Sequence, residues 1–219
     1  MKRSDRLENL KRIIFKSGYC SINSLIGEIN YSPSTLRRDL LILEKQGIIE
    51  RWHGGATPID FTRLSYSSRL NINKEEKEEI GIKAANLVKD NQVVIMDAGS
   101  TASMVANNLI DKKNLTIITT AINIAKQLSS LSNFEVILTG GILKLETNSL
   151  VGHLSELVIQ HVNANIAFIA CDSISPNLDV MFVSFEFAKL KKVIMDSSTV
   201  KVLIADSSKF GKINIASTG

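Results

Sequence analysis

Two adjacent arginines, Arg37 and Arg38, lie close to Ser34 and Thr35 in one short stretch of the chain. An arginine guanidinium can fork onto guanine O6 and N7 or onto a phosphate, and hydroxyl side chains can bind either group. These four residues predict a nucleic-acid interface if one structural element presents them together. A solvated surface helix is the competing interpretation.

A second set of polar residues follows apolar runs in the rest of the chain. Gly99-Ser100-Thr101 lies between a predicted strand and a predicted helix, where free amides and the helix dipole favour an anion. Gly140-Gly141 allows a second close backbone approach. Other polar residues at predicted strand ends are Asp97, Thr119, Asp172 and Asp206, with Lys209 close by. Because ligands of parallel sheets bind beyond the carboxyl ends of strands, these residues predict a site for an anionic ligand.

Three amphipathic segments precede and include the arginine pair. Ser21 is placed to cap the second, Ser32-Pro33 opens the third, and Gly47 ends it. Their inner faces hold Leu7, Leu10 and Ile14, then Ile22, Leu25 and Ile29, then Leu36, Leu40 and Leu43. The spacing predicts three helices, the third of which is followed by a strand at 48–52 and a glycine-rich turn. This order is typical of a winged helix-turn-helix.

The third helix favours the interface over the solvated-surface interpretation. At 3.6 residues per turn its leucines form one narrow stripe, and the opposite half holds Ser34, Arg37, Arg38 and Lys45. Asp39 and Glu44 are expected toward the flanks, which leaves a central cationic face. A solvated helix more often mixes charges through i,i+4 pairs.

The predicted wing adds Arg51 and His53 near glycines that permit a close approach to a duplex. We expect Trp52 to pack beneath the wing rather than to stack on bases. We expect Leu41 to be partly exposed.

Composition agrees with a basic module joined to a neutral one. The first 57 of the 219 residues carry ten Lys and Arg against six Asp and Glu, whereas the remainder carries sixteen of each sign. The whole net charge of +4 therefore lies in the first quarter, which favours a polyanionic partner there. A hydrophobic content of 44% is ample for a packed core.

Targeting and cysteine usage predict a cytoplasmic protein. Apolar runs such as 93–96 are of strand length, whereas a membrane-spanning helix needs about 20 apolar residues. The basic N-terminus lacks the apolar core of a secretory signal. Cys20 and Cys171 are too few for a disulfide framework and lack metal-site spacing, so we expect reduced, buried thiols.

Beyond a weakly periodic segment at 58–73, apolar strands alternate with amphipathic helices. The predicted strands lie at 93–99, 115–120, 134–141, 165–172 and 200–211. The predicted helices lie at 74–89, 121–131, 153–162 and 185–196, with one more after the first strand that runs through 106–109. This alternation indicates an α/β domain with a mainly parallel sheet covered on both faces. We therefore predict a DNA-binding domain at 1–57, a linker at 58–73 and an α/β domain at 74–219.

The string SPSTLRRDLLILEKQGIIERWHGGA resembles the signature of the DeoR-type family of bacterial transcriptional regulators. Its serine cap, Thr-hydrophobic-Arg-Arg-Asp-Leu core, Leu-Glu-x-x-Gly stop and His-Gly-Gly-Ala wing are all present. These elements are Ser32, Thr35–Leu40, Leu43–Glu44, Gly47 and His53–Ala56. The resemblance implies that Ser34, Thr35, Arg37 and Arg38 contact the major groove. Arg51 and His53 would contact the backbone or the minor groove.

The larger domain is similar to the C-terminal domain of the same family. DAGST (97–101), TGG (139–141), SLVG (149–152) and DSSKFG (206–211) match its motifs, as do Glu186 and Lys191. That domain resembles ribose-phosphate isomerases and typically binds a phosphorylated sugar. The implied effector site comprises Asp97, Gly99, Ser100, Thr101, Thr119, Gly140, Gly141, Asp172, Glu186, Lys191 and Lys209.

Two departures from the family pattern bear on that site. Thr119-Thr120 stands where the family commonly has Thr-Asn, and Asp172-Ser173 stands where it has Asp-Gly. Relatives also continue beyond the DSSK motif with another strand, so this domain is expected to be shortened at its C-terminus.

The resemblance implies a repressor of a sugar-metabolism operon that binds a double-stranded DNA operator and is relieved by a phosphorylated sugar. We expect a homo-oligomer, a dimer or tetramer assembled through the larger domain, without a cofactor, a metal or a membrane association. The alternatives are a diverged regulator that has lost its effector and an isomerase-like enzyme using Asp97, Asp172, Glu186 and Lys209 as acids and bases.

Overall fold

The computed structural model describes residues 3–17, 19–29, 31–52, 54–58, 66–131 and 133–218. It divides into two compact units, one ending at Ile72 and the other beginning at Asn73. A helix, Tyr66–Asn71, lies within the segment whose weak periodicity predicts a linker. Six residues with several polar side chains are too short for an apolar repeat to be recognised.

The described part of the first unit contains four helices and a three-stranded antiparallel sheet. The helices are α1 (Arg3–Ser17), α2 (Ile22–Glu28), α3 (Pro33–Lys45) and α4 (Tyr66–Asn71). The strands β1 (Cys20–Ser21), β2 (Ile49–Trp52) and β3 (Gly55–Pro58) are ordered β1-β3-β2. This arrangement is the predicted winged helix-turn-helix, with β2 and β3 as the wing.

The predicted helix starts are confirmed by their caps. Ser21 Oγ accepts from the amide of Ser24 at 3.0 Å, and Ser32 Oγ accepts from the amide of Thr35 at 3.2 Å. Each bond satisfies an amide that the helix itself leaves free. The predicted inner faces then meet in one core, which includes Leu10, Ile14, Leu25, Ile29, Leu36, Leu40, Leu43 and Ile49.

The second unit begins with α5 (Lys74–Ala85), after which strands and helices alternate. The larger elements are β4 (Val93–Met96), α6 (Ser100–Asn107), β5 (Leu115–Thr119), α7 (Ile122–Leu128), β6 (Phe134–Leu138), β7 (Ile142–Lys144), β8 (Ser149–Val151), α8 (His153–Gln160) and β9 (Ala164–Ile169). They are followed by β10 (Ser173–Ile174), β11 (Val180–Phe182), α9 (Phe185–Asp196), β12 (Ser198–Leu203), a 3-10 turn (Ser207–Lys209) and β13 (Ala216–Ser217).

The main sheet has five parallel strands in the order β12-β9-β4-β5-β6. One face packs against α5, α6 and α7 through a core that includes Val94, Ile117 and Phe168. The other face packs against α8 and α9 through residues such as Ile95 and Leu190. The predicted α/β fold with both sheet faces covered is therefore confirmed, and all five carboxyl strand ends lie on one edge.

Two small antiparallel sheets were not anticipated from the sequence. Strands β7 and β8 form a hairpin directly after β6, and β10, β11 and β13 form a three-stranded sheet. Their strands have two or three residues, which is too short for a recognisable apolar pattern. Both structures lie in the connections that follow strand ends, and they add residues to the predicted ligand edge.

Candidate functional site

The N-terminal half of α3 presents hydroxyls and two unpaired guanidinium groups. Ser32 Oγ lies 3.0 Å from Ser34 Oγ and 2.9 Å from Thr35 Oγ1. Arg37 and Arg38 are exposed and form no ion pair with another described residue. The structure therefore brings four of the predicted DNA contacts onto one helix surface, opposite the buried leucines.

Asp39 corrects one expectation about this helix. Its side chain is buried, 1% exposed, rather than placed toward a flank. Arg6 of α1 binds both carboxylate oxygens, with Nε at 2.5 Å and Nη2 at 3.0 Å. The long arginine side chain reaches from the neighbouring helix, which a helical projection of α3 alone does not reveal. The Asp39 carboxylate is therefore neutralised by Arg6, and it adds no negative charge to the exposed surface of α3 that carries Arg37 and Arg38.

The wing differs from expectation at Trp52, which is 57% exposed and does not pack beneath it. Its indole Nε1 donates to Thr57 Oγ1 at 3.0 Å across the hairpin. Arg51 projects to the other side, and its Nη1 lies 3.4 Å from Glu44 Oε2 of α3. The alternation of β2 explains this: Ile49 faces the core, so Arg51 turns towards α3 and Trp52 turns outward. The predicted contact His53 lies outside the described residues.

In the second unit, the loop after β4 is organised by Asp97. This residue is fully buried, and Lys191 of α9 forms a short ion pair with its Oδ1. Ala98 N donates to Oδ1 at 2.7 Å, and Ala170 N donates to Oδ2 at 2.9 Å. Asp97 and Lys191 therefore form a buried ion pair at this edge, and their contact with an effector stays a prediction.

Gly99, Ser100 and Thr101 follow this support and open α6. Gly99 has φ 140° and precedes the first helical residue, so a side chain there would be strained. Ser100 and Thr101 are only 7% and 6% exposed. The predicted helix N-terminus is thus present, with two small hydroxyl residues in its first turn.

The ends of β5 and β6 are joined to each other. Thr139 N donates to Thr119 O at 3.0 Å, and the Thr119 hydroxyl accepts from Ala121 N. Thr119 is fully buried, so its side chain supports the turn. At Gly141, with φ 132°, an added β-carbon would lie 2.4 Å from Val151 O. Only glycine fits between this loop and β8. Gly140 beside it is exposed.

The β7–β8 hairpin contributes groups that the sequence did not indicate. Leu150 N donates to Thr120 O at 2.8 Å, which ties the hairpin to the end of β5. Lys144 Nζ lies 3.0 Å from Glu186 Oε2 at the start of α9. The buried Thr120 Oγ1 has no hydrogen-bond partner among the described residues. No sequence signal pointed to Lys144, because its position depends on how the hairpin folds back.

The remaining predicted residues follow β9 and β12. Asp172 Oδ2 accepts from Val183 N at 3.0 Å, and Lys209 lies in the 3-10 turn. Asp206 Oδ1 accepts from Asn73 Nδ2 and Ser208 N, each at 3.0 Å. Burial alone would raise the pKa of Asp206, but these partners, the Ser208 hydroxyl and the charges of Lys77 and Lys209 together lower it. Asp206 is thus held as a carboxylate.

The two cysteines are free and buried, as expected. Burial raises the pKa of Cys171 to about 12, so this thiol stays protonated. Among the described residues no cluster of three or more His, Cys, Asp or Glu side chains is arranged to hold a metal ion. No helix of the described chain is both long and apolar enough to cross a membrane.

Both units of the chain match models of known protein families. Residues 6–62 match the DeoR-like helix-turn-helix domain, and residues 72–219 match the DeoR C terminal sensor domain. The chain belongs to the DeoR family. This DeoR-family protein is therefore a DNA-binding transcriptional regulator with a sensor domain, and the isomerase alternative is not supported.

Named relatives are similar over nearly the whole chain. The "Glycerol-3-phosphate regulon repressor" of Escherichia coli (strain K12) is 29% identical over 220 residues, covering 100% of this chain and 87% of the relative. The "Lactose phosphotransferase system repressor" of Streptococcus mutans is 30% identical over 222 residues, covering 99% of this chain and 88% of the relative.

Solved structures include "Structure of ribose 5-phosphate isomerase a from methanocaldococcus jannaschii". It is 17% identical, with a TM-score of 0.46, covering 63% of this chain and 55% of that one.

We predict that Asp206→Asn reduces both the stability of the regulator and its sensitivity to acid. Loss of charge-assisted hydrogen bonds costs about 1.5–3 kcal/mol of unfolding free energy at neutral pH. Because the folded-state pKa of Asp206 is lowered, its contribution is present above the ordinary value of 3.8 and is lost as pH falls through the lowered pKa.

Urea unfolding of wild type and variant at about pH 7 and about pH 3 measures this difference. The exposed Asp111→Asn serves as the control. An equal loss of stability on acidification in wild type and Asp206→Asn would contradict the role of Asp206.

Proposed function

We propose that this DeoR-family regulator represses a sugar-metabolism operon and releases its operator when a phosphorylated sugar binds the second unit. The observation that carries the DNA contact is the pair of exposed guanidinium groups at Arg37 and Arg38, neither of which is paired with another residue in the part of the chain that the structure describes. Two relatives named as repressors of glycerol-3-phosphate and lactose systems support the sugar-related role. Its DNA partner puts its site of action in the cytoplasm.

At the operator, α3 enters the major groove with its N-terminal half. Arg37 and Arg38 bind guanine edges or phosphates, and Ser34 and Thr35 bind adjacent groups. Arg51 of the wing faces the backbone after exchanging its weak, partly exposed pairing with Glu44 for a phosphate. We assign His53 to the same surface from the sequence alone.

In the sensor unit, the phosphate of the effector binds at Gly99, Ser100 and Thr101, where the amides of the first turn of α6 and its dipole favour an anion. Lys209 supplies a cation. The sugar hydroxyls bind Asp172, Glu186 and the backbone at Gly140 and Gly141. The unpartnered Thr120 hydroxyl is a further group for a sugar hydroxyl, because a buried polar atom gains from any partner.

The same edge offers a route to regulation. The chain enters the second unit at Asn73, whose side chain donates to Asp206 in the loop that also carries Lys209. An effector that draws Lys209 towards its phosphate changes the charge beside Asp206. The hydrogen bond from Asn73 to Asp206 then changes as well. Asn73 is the first residue of the second unit, so the change reaches the point where the chain enters that unit.

We predict that Arg38→Ala weakens operator binding by about 1–3 kcal/mol, the contribution of one good bidentate contact. The operator is first selected from a pool of random duplexes, and affinity is then measured at fixed salt. Lys201→Ala, an exposed cation of the second unit, is the matched control. Unchanged affinity of Arg38→Ala would remove this residue from the interface.

We predict that at least one phosphorylated sugar stabilises the protein and weakens its binding to the operator. A ligand at about 100 times its Kd adds about 2.7 kcal/mol to the native state. This raises Tm by roughly 5–10 °C in a unit of this size. The measurement is a thermal-shift panel of triose, pentose and hexose phosphates, glycerol phosphate and the unphosphorylated sugars.

Lys209→Ala should reduce the shift given by the phosphorylated ligand, whereas Lys201→Ala should leave it unchanged. A panel without any stabilising compound would favour the alternative of a diverged regulator that has lost its effector.

We also propose that the regulator is a homo-oligomer formed through the second unit. One short recognition helix reads only one half-site, and paired modules match palindromic operators. The second unit carries an exposed apolar surface around β6, the β7–β8 hairpin and α8, which we call the hairpin patch. Its residues are Ile137, Leu138, Ile142, Leu143, Leu145, Leu154 and Leu157, exposed between 38% and 75%.

A second copy of the chain fits this patch better than a charged partner does. Seven large aliphatic side chains resemble the apolar composition of permanent homodimer interfaces. Strand β6 is also an edge strand, paired on one side only. Burying the patch against its own copy removes both the apolar exposure and the open edge.

We predict that Leu154→Asp shifts the protein from a dimer or tetramer towards a monomer, because an unpaired charge in an apolar interface is costly. Size-exclusion chromatography with light scattering measures the mass. Ile110→Asp changes an equally exposed isoleucine outside the patch and should have no effect. A wild-type monomer at working concentration would contradict self-association.

A further inference from the structure

Two exposed aromatic residues on the wing are not used by the contacts described above. Trp52 is 57% exposed and Tyr19 is 56% exposed. Tyr19 directly precedes β1, and Trp52 ends β2 on the far side of the same sheet, so they are 33 positions apart in the sequence. An isolated exposed aromatic is ordinary, but two on one small surface suggest a binding surface.

Gly55 of β3 brings the two rings together. It pairs with Trp52 on one side and with Ser21 on the other. A β-carbon on residue 55 would lie 2.6 Å from Cε2 and Cζ of Tyr19, so the tyrosine ring occupies that space. Paired residues project from the same face of a sheet. The rings of Tyr19 and Trp52 therefore share one face, with a residue lacking a side chain between them.

The indole is held in place on this face. Its Nε1 donates to Thr57 Oγ1 at 3.0 Å, and the same hydroxyl donates to the carbonyl of Glu50 at 3.5 Å. The hydroxyl thus accepts one bond and donates another, which fixes the orientation of the ring. A side chain that is already ordered loses little rotational entropy when it binds a partner.

We propose that Tyr19 and Trp52 form a second DNA-contact surface, in which the indole packs on a deoxyribose and the tyrosine hydroxyl donates to a neighbouring phosphate. This inference rests on the proposed DNA interface. Tyrosine is among the side chains that bind phosphate oxygens, and aromatic faces contribute apolar contact without reading a base. The contact is therefore independent of DNA sequence.

The charge of the first segment favours DNA over a protein as the partner. The excess of +4 lies in the first 57 residues and draws a polyanion to this unit. Arg51, next to Trp52, adds a cation on the opposite side of β2, where it pairs weakly with Glu44.

The chain contains one tryptophan, so its fluorescence reports on this surface alone. The full chain is titrated with an arbitrary duplex of about 30 base pairs at about 50 mM salt, where binding without sequence preference is strong. A fluorescein label on the DNA reports binding separately, in parallel titrations without tryptophan detection. We expect the tryptophan emission to be quenched or shifted with the same midpoint as the DNA anisotropy.

Trp52→Ala should weaken binding to this duplex about tenfold, which corresponds to about 1.4 kcal/mol. Tyr19→Phe should give a smaller loss, because it removes only the hydroxyl. Trp52→Phe, which keeps an aromatic face, should restore most of the affinity. Phe210→Ala removes a similarly exposed aromatic of the second unit and should not change binding. None of these three wing variants should alter the slope of affinity against salt, unlike Arg38→Ala.

DNA binding without any change in tryptophan emission would overturn the inference while leaving the DNA-binding function intact. No binding to the duplex at all would instead contradict the proposed DNA interface. A change in emission that depends on protein concentration without DNA would assign the surface to self-association and also overturn the inference. Thermal unfolding of Trp52→Ala distinguishes loss of the DNA contact from unfolding of the wing. An unchanged Tm together with reduced affinity supports a direct contact between Trp52 and DNA.

Discussion

The sensor unit is organised around one buried ion pair. Asp97 follows the central strand β4 and is completely buried, where a carboxylate needs a partner inside the protein. Lys191 supplies the opposite charge from α9, and the amide of Ala170 brings the end of β9 to the same carboxylate. One side chain thereby connects β4, β9 and α9. The loops that carry Gly99 and Asp172 follow β4 and β9, and Glu186 lies in the first turn of α9.

The first unit applies the same principle to DNA recognition. Asp39 is buried in the middle of the helix that carries Arg37 and Arg38, and Arg6 neutralises it from α1. Losing Arg6 would leave the buried carboxylate of Asp39 without its partner. The pair also fixes α3 against α1, so the arrangement that removes a negative charge from the helix surface also sets its orientation. Arg37 and Arg38 are left to face outward, with no ion-pair partner among the residues described here.

Much of this organisation was predictable from the sequence. The spacing of the leucines and the serine caps predicted α2 and α3, and continuous apolar runs predicted the five parallel strands. The common edge followed, because parallel strands end on one side. The features that the sequence did not predict are contacts between elements that are distant in sequence. The burial of Asp39 depends on Arg6, and the exposure of Trp52 depends on the direction in which β2 alternates. The β7–β8 hairpin and the position of Lys144 depend on a reversal of the chain after Gly141. Strands of three residues are too short for their sequence to predict it.

Gly54 and Gly55 look equivalent in the sequence, yet they limit the evolution of the wing in different ways. Gly54 has φ 90° and no atom within 4 Å of where its β-carbon would lie, so its constraint is one of backbone torsion. Gly55 has no positive φ, and its constraint is the Tyr19 ring together with Cys20 O at 2.6 Å. An asparagine, which visits left-handed conformations, is therefore a conceivable replacement at position 54. At position 55 a side chain is incompatible even if residue 19 changes, because the backbone oxygen of Cys20 would remain in contact with the β-carbon. In relatives with this wing geometry, glycine should therefore be retained at position 55 whatever residue type stands at position 19.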